Sequence, residues 1–250
     1  MKLVFVSSGS KGNATLIQGG DALIQIDMGI TKRALAKGLE ILGKSVQDID
    51  GLFLTHEHSD HISGVSTIAR HTKVYASEET YPVSPEQVLW PGVGVNMKNM
   101  LIMPFSSSHD AVNPVNYVIY ADDMKLGYVT DTGTIKEEGL DLLKNCDYYL
   151  FESNHDVKML RESPRPTWLK RRIRSACGHL SNDECANYLS MLIGEKTKQI
   201  FLGHISDDCN RPEIAEETLR KKLRKSGIDD LKFKIVAIPQ QTLQIGGELL

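Results

Sequence analysis

The stretch that decides the reading is "LTHEHSDHISG", residues 54–64. The chain has only 8 histidines in 250 residues, yet His56, His58 and His61 fall together, with Asp60 among them. Imidazole and carboxylate are the side chains that hold a divalent cation. Upstream, "GLFLT" at 51–55 is a short apolar run suited to a buried strand. Downstream, "HISGVSTIAR" reads as a helix, with Ser59 or Asp60 placed to cap it. The cluster sits where a strand gives way to a helix, a common place for sites in α/β proteins. Alternate side chains of an extended segment share a face, so His56 and His58 point together. Asp60 and His61 follow on a turn and face a second point, so one segment supplies two ligands to each of two cations. A merely polar surface loop is the plainer alternative, and the spacing argues against it. The zinc-protease pattern H-E-x-x-H is excluded, because the fourth position after His56 is Asp60.

Hydrophobic content of 41% and charged content of 24% suit a soluble globular chain with a substantial core. The apolar part of "MKLVFVSSGS" is too short for a signal peptide, and no run approaches the roughly 20 residues of a membrane span. Cys146, Cys177, Cys185 and Cys209 show no C-x-x-C pairing and read as cytosolic thiols. A cytoplasmic protein with no membrane contact is expected. The net charge of −3 argues against nucleic-acid binding on global charge alone. Distribution says more: Lys158, Arg161, Arg165, Lys170, Arg171, Arg172 and Arg174 crowd one stretch with Glu162 the only acid, and "LRKKLRKSG" at 219–227 is a second basic run.

Periodicity predicts strands at 2–7, 13–18, 22–27, 51–55, 73–76, 101–106, 115–121, 124–130, 147–152, 199–203, 231–237 and 241–246. It predicts helices at 31–43, 61–71, 136–144, 182–194 and 211–226. "SSGSKGN" and "ADDMK" read as hairpin turns. Hairpins alternating with helices imply an α/β chain of two mixed sheets flanked by helices. No Pro/Ser-rich linker interrupts the chain, so one domain over residues 1–250 is expected.

Two cations need further ligands. "FSSSHD", "GYVTDTG" and "IFLGHIS" present His109, Asp131 and His204, each at the end of an apolar strand and followed by small or polar residues. "ALIQID" and "YYLFES" end likewise on Asp27 and Glu152. Taken singly, each of these residues is as readily structural, and Asp27 as readily caps a turn.

In that order, "HEHSDH", a later histidine, "TDTG" and "GHIS" resemble the metallo-β-lactamase superfamily, whose fold is an αββα sandwich. The resemblance covers essentially the whole chain. It implies that His56, His58 and His109 hold one cation, that Asp60, His61 and His204 hold the other, and that Asp131 bridges them. True β-lactamases of the superfamily lack the bridging aspartate, which disfavours antibiotic hydrolysis. Glu152 in "LFESNHD", His179 in "CGHLSND" and His204 resemble the nuclease branch, which includes RNase Z and RNase J. The segment from Asp131 to His179 leaves no room for the β-CASP insertion of RNase J. Compact size, "SSGSKGNATLI", "ESNHD" and "GHLSN" together look most like the YycJ (WalJ) subfamily. That resemblance implies a metal-dependent exonuclease that degrades DNA from the 5′ end.

Two cations about 3.5–4 Å apart share a water, lower its pKa to give hydroxide, and offset charge on a phosphate oxygen. Asp60 is the candidate to orient that nucleophile. His179 is the candidate general acid, with Glu152 fixing its tautomer, against the plainer reading of a helix cap. His155 and Asp156 are expected to support a ligand from behind, as is Asp27. Arg165, Trp168, Lys170, Arg171 and Arg172 are candidates for phosphate contact and base stacking, although basic runs are usually solvated faces. Ser8, Ser10 and Asn13 in the first turn are candidates to present backbone N–H groups to phosphate. The ligand set suits Mn or Zn, with Fe also compatible. DNA is preferred to RNA as partner by resemblance alone, and oligomeric state is not legible. Two rivals stand beside the nuclease reading: a hydrolase of a small phosphodiester, such as a cyclic phosphate, or of another small ester or thioester; and an idle scaffold, which the complete ligand set argues against.

Overall fold

Apolar runs of five to seven residues punctuated by Gly, Asn and Asp become strands, and the longer amphipathic segments become helices. The computed structural model describes residues 1–249. The strands are β1 (Lys2–Ser7), β2 (Ala14–Gly19), β3 (Ala22–Ile26), β4 (Gly51–Phe53), β5 (Lys73–Ser77), β6 (Val88–Leu89), β7 (Val95–Met97), β8 (Met100–Ser106), β9 (Val115–Ala121), β10 (Met124–Val129), β11 (Tyr148–Glu152), β12 (Gln199–Gly203), β13 (Lys234–Ala237) and β14 (Gln244–Gly247). The helices are α1 (Lys32–Ile41), α2 (Ser59–Ile62), α3 (Glu137–Leu143), α4 (Val157–Glu162), α5 (Thr167–Ile173), α6 (Asn182–Leu192) and α7 (Pro212–Lys225). The sheet orders are β14-β1-β2-β3-β4-β5-β6 and β13-β12-β11-β10-β9-β8-β7. Two mixed sheets of seven strands with flanking helices are the α/β arrangement expected.

The chain divides into two compact units. One comprises Met1–Ser106, Ala111–Met124 and the residues from Gln241 on; the other comprises Ser107–Asp110 and Lys125–Gln240. In the first, β1, β2 and β3 run antiparallel, and α1 carries the chain over to β4, which pairs parallel with β3. Helix α1 starts where Thr31 accepts from Ala34 N, and it buries Leu35 and Leu39 in a core with Val4, Leu16, Leu52 and Leu54. In the second, β10 to β13 are all parallel, and β11 is buried along its length. Such strands read as continuous apolar runs because both faces are covered. The pairing of Glu152 with Gly203 sets the end of β11 beside the residue before His204.

The local expectations fail in instructive places. The helix expected at 61–71 is the single turn α2 followed by a 3-10 turn at Val65–Thr67. Its N-cap is His58, without a side-chain cap, so neither Ser59 nor Asp60 caps it. Backbone groups that a longer helix needs are taken elsewhere: Asn13 N donates to Asp60 O, Met28 N to His61 O, and Gly64 N to Met28 O. The short strands β6 and β7 and the helices α4 and α5 lie where periodicity predicted nothing. Pro164 and Pro166 cut the basic stretch into two helices too brief for a periodic signal. The strand expected at 231–237 opens as a 3-10 turn, Asp230–Lys232, before β13, and the strand expected at 241–246 becomes β14.

Candidate metal centre

In the first unit β4 stops at Phe53, and Thr55 stands between it and the histidines. Thr55 Oγ1 lies 2.9 and 3.1 Å from the Asp27 carboxylate oxygens, and 3.0 Å from Nδ1 of both His56 and His61. Asp27 also accepts from Thr55 N at 2.8 Å and from His61 Nδ1 at 2.8 Å. Burial pushes the Asp27 carboxyl above its ordinary value, and the adjacent His61 opposes that. With both Nδ1 atoms engaged as donors, each ring carries its lone pair on Nε2, and that of His61 accepts from Asn13 Nδ2. The His56 ring centroid is 4.5 Å from that of His58 and 4.0 Å from that of His61.

In the second unit Asp131, Glu152, His179 and His204 bring their ligand atoms within 4.8 Å of one another. Glu152 Oε1 accepts from Nδ1 of both His179 and His204 at 2.8 Å. Its Oε2 accepts from Thr132 N at 3.0 Å and Leu180 N at 3.3 Å. Burial opposes ionisation of this carboxyl, but the His179 charge and the hydrogen bonds from His179 and His204 override it and hold Glu152 at about 2. His109 Nδ1 donates to Gly178 O at 3.0 Å, and its Nε2 is 3.9 Å from Asp131 Oδ1. Burial lowers the His109 pKa, more than the Asp131 charge restores. Asp131 Oδ1 is 3.5 Å from His204 Nε2 and 3.4 Å from His179 Nδ1, while Thr130 Oγ1 donates to Oδ2.

Asp27, Asp131 and His204 have φ of 57°, 46° and 54°. Each follows a strand end, and the left-handed turn re-aims its side chain, at a cost that Asp and His bear better than most residues. Four rings, those of His56, His61, His109 and His204, are tethered through Nδ1 to a hydroxyl, carboxylate or carbonyl. That is how metal-ligating histidines are usually oriented. These His and Asp groups therefore fit a divalent cation.

The other expected residues divide. Asn13 Nδ2 lies 2.9 Å from His61 Nε2 and 3.4 Å from Asp60 Oδ2, so this amide serves the histidine cluster. Within its turn Gly9 N donates to Asn13 Oδ1, Gly12 N to Gly9 O and Asn13 N to Asp60 O. Those N–H groups are not presented to a phosphate; Ser8 is buried and Ser10 exposed. Asp156 caps α4 by accepting from Met159 N. The ring of His155 is buried, which lowers its pKa to about 4, and its backbone oxygen accepts from Asn182 N. On the basic stretch Lys170 Nζ donates to the carbonyls of Arg161 and Ser163 and thereby braces the α4–α5 link. Arg165 pairs with Asp208 at 3.0 Å, Arg172 pairs with Asp110, and Trp168 stands 66% exposed. Thr55, Thr130, Asn154 and the Gly178 carbonyl were missed from sequence. Asn154 Nδ2 donates to His204 O at 2.9 Å. A threonine directly before the histidine cluster was the one available signal.

The Beta-lactamase superfamily domain matches residues 21–205. Exodeoxyribonuclease WalJ of Streptococcus pneumoniae serotype 2 (strain D39 / NCTC 7466) is 33% identical over 249 residues, covering 94% of this chain and 93% of that protein. Exodeoxyribonuclease YycJ of Bacillus anthracis is 32% identical over 234 residues, covering 89% of each. The metallo-β-lactamase fold protein YhfI of Bacillus subtilis superposes with a TM-score of 0.71 at 15% identity, covering 98% of this chain and 99% of that one, a likeness of fold. By a match spanning most of its length and by relatives alike from end to end, the chain belongs to the β-lactamase superfamily, in its metallo-β-lactamase fold.

Proposed function

We propose that the protein is a phosphodiester hydrolase acting on DNA, a 5′→3′ exonuclease with two divalent cations, Mn or Zn, per chain. The observation that carries the reading is the shared Glu152 oxygen, which ties His179 to His204 at 2.8 Å each. One carboxylate orients a candidate ligand and a candidate proton donor together. The two relatives named as exodeoxyribonucleases support the substrate. The candidate ligands are His56, His58, Asp60 and His61 in the first unit and His109, Asp131 and His204 in the second. Asp27 holds His61 from behind. When bound, the cations supply Lewis acidity that makes water nucleophilic at neutral pH and offsets charge on the phosphoryl oxygens.

Asp60, partly exposed beside the histidines, orients the attacking water. His179 is 20% exposed at its side chain, unlike the buried His204, and its Nδ1 is held by Glu152. Its Nε2 would give a proton to the leaving 3′ oxygen. Arg171 and Arg172 contact phosphates, and Trp168 stacks on an end base. No helix among the described residues is long and apolar enough to cross a membrane. The four free thiols support a cytoplasmic location.

The test is a time course on linear duplex DNA, labelled at the 5′ or the 3′ end, with Mn, Zn or EDTA. Early release of 5′-labelled mononucleotide is expected, abolished by EDTA and in His109→Ala. Equal rates in His109→Ala and wild type would overturn the reading. Cleavage of a dye phosphodiester without release from DNA would move the assignment to a small phosphodiester.

A further inference from the structure

Asp110 directly follows the candidate ligand His109 and has no role in the reading above. Its Oδ2 accepts from Nε of Arg172, at the end of α5. Its other oxygen, Oδ1, lies 3.4 Å from His109 Nε2. One carboxylate therefore stands between a guanidinium and a ring nitrogen of the metal centre. Among the described residues nothing else bonds the Arg172 guanidinium, so Nη1 and Nη2 form an open fork. Its neighbours on the basic stretch differ: Lys170 Nζ is held by two carbonyls, and Arg165 pairs with Asp208.

Backbone contacts join the same two segments within the second unit. His109 Nδ1 donates to Gly178 O at 3.0 Å, and His179 N donates to Ile173 O at 2.9 Å. The carbonyls of Arg172 and Ile173 leave no room for a Cβ on Gly178. The end of α5 thus packs on the segment that carries His179, whose ring centroid is 5.0 Å from that of His109. The Asp110–Arg172 pair is half in solvent, with side chains 33% and 50% exposed. An ion pair so exposed adds little to stability. Its effect is on direction, because fixing Nε fixes the plane of the guanidinium and presents its fork ready to bind.

We propose that Asp110 is a positioning residue that holds the Arg172 fork for bidentate contact with a backbone phosphate next to the one being cleaved. The proposal rests on the nuclease reading and narrows its substrate to a chain with at least two phosphates. The Asp110 carboxylate separates the fork from the His109 ring, so the phosphate taken by the fork is not the one at the ligands. Asp110 also offsets the positive charge of Arg172, which suits the single charge of a phosphodiester better than the double charge of a terminal phosphate.

The test compares kcat/KM on linear duplex DNA and on thymidine 5′-(p-nitrophenyl phosphate), which carries one phosphate, using the metal-loaded protein. The variants are Asp110→Asn, Arg172→Gln, Arg172→Lys and the double variant Asp110→Asn/Arg172→Gln. Each single variant lowers kcat/KM on DNA by about tenfold, the scale of a lost charge-assisted contact, chiefly through KM. The double variant falls no further than Arg172→Gln, because Asp110 acts through Arg172. Arg172→Lys keeps the charge without the fork and does not restore DNA cleavage. The one-phosphate ester loses several-fold less than DNA in every variant. Equal losses on both substrates overturn the proposal, since a displaced His109 or a weakened metal site harms both alike. Additive losses in the double variant overturn it too, because Asp110 then acts apart from Arg172. Wild-type protein that leaves DNA intact overturns the nuclease reading, and the proposal with it.

Discussion

Thr55 does more than its size suggests. One hydroxyl touches Asp27, His56 and His61, so a single rotamer sets the direction of two candidate ligands. Replacing it with valine keeps the β-branched shape and removes the tether. Thr55→Val is expected to weaken metal binding by about 10–100-fold, the usual effect of losing such a supporting contact. Titration of Mn or Zn into chelator-stripped protein checks it, and an unchanged affinity would show that Asp27 alone orients the rings. Glu152 has the matching role in the other unit, with four hydrogen bonds converging on two oxygens.

The turn that carries the cluster is held from outside itself. Gly29 N donates to Asn13 O, and a Cβ on Gly29 would lie 1.6 Å from Asp60 O. No side chain fits there without moving the Asp60–His61 backbone. Gly29→Ala is therefore expected to destabilise the protein by about 1–3 kcal/mol, the range of an overpacked site, and to weaken metal binding with it. A denaturation midpoint equal to wild type would contradict the close approach. Helix α7 is anchored differently: Arg224 Nε and Nη2 reach Asp230 at 2.9 and 3.0 Å, and Arg220 joins them at 3.3 Å. Hydrogen bonds from Arg224 first, and then from Arg220, hold the Asp230 carboxyl below its ordinary value. A depressed carboxyl stabilises the fold above its unfolded value and loses that contribution as pH falls through the folded one. Asp230→Asn should thus lower the urea midpoint at pH 7, with the gap closing as pH falls below the usual carboxylate range. A gap that is constant with pH would assign the loss to packing.

Cations that bind only the folded chain stabilise it by mass action. At a free concentration a hundredfold above the dissociation constant, the gain is about 2.7 kcal/mol. For a chain of 250 residues that corresponds to a melting shift of about 5–10 °C. Calorimetry with Mn, with Zn and with EDTA reads it directly. Identical melting in all three would remove tightly bound metal from the folded state.

The histidine cluster at 56–61 was legible because three histidines and Asp60 crowd into six positions just after β4. The strand-end positions of His109, Asp131, Glu152 and His204 were legible too, each an apolar run stopping at a polar group. Asn13 was misread because its partners, Asp60 and His61, lie more than forty residues away. The long helix expected after His61 failed for the same reason: Met28 and Asn13 capture its carbonyls. The basic stretch was legible as charge, but the braces that Lys170 and Arg165 make there were not. From the linear chain alone come the ligand types, their order, the strands that carry them and the superfamily they resemble. Folding supplied the tethers at Thr55, Glu152 and Gly178, the left-handed turns at Asp27, Asp131 and His204, and the partners of each basic side chain. These depend on register and backbone geometry between distant segments, which no local pattern of residues encodes.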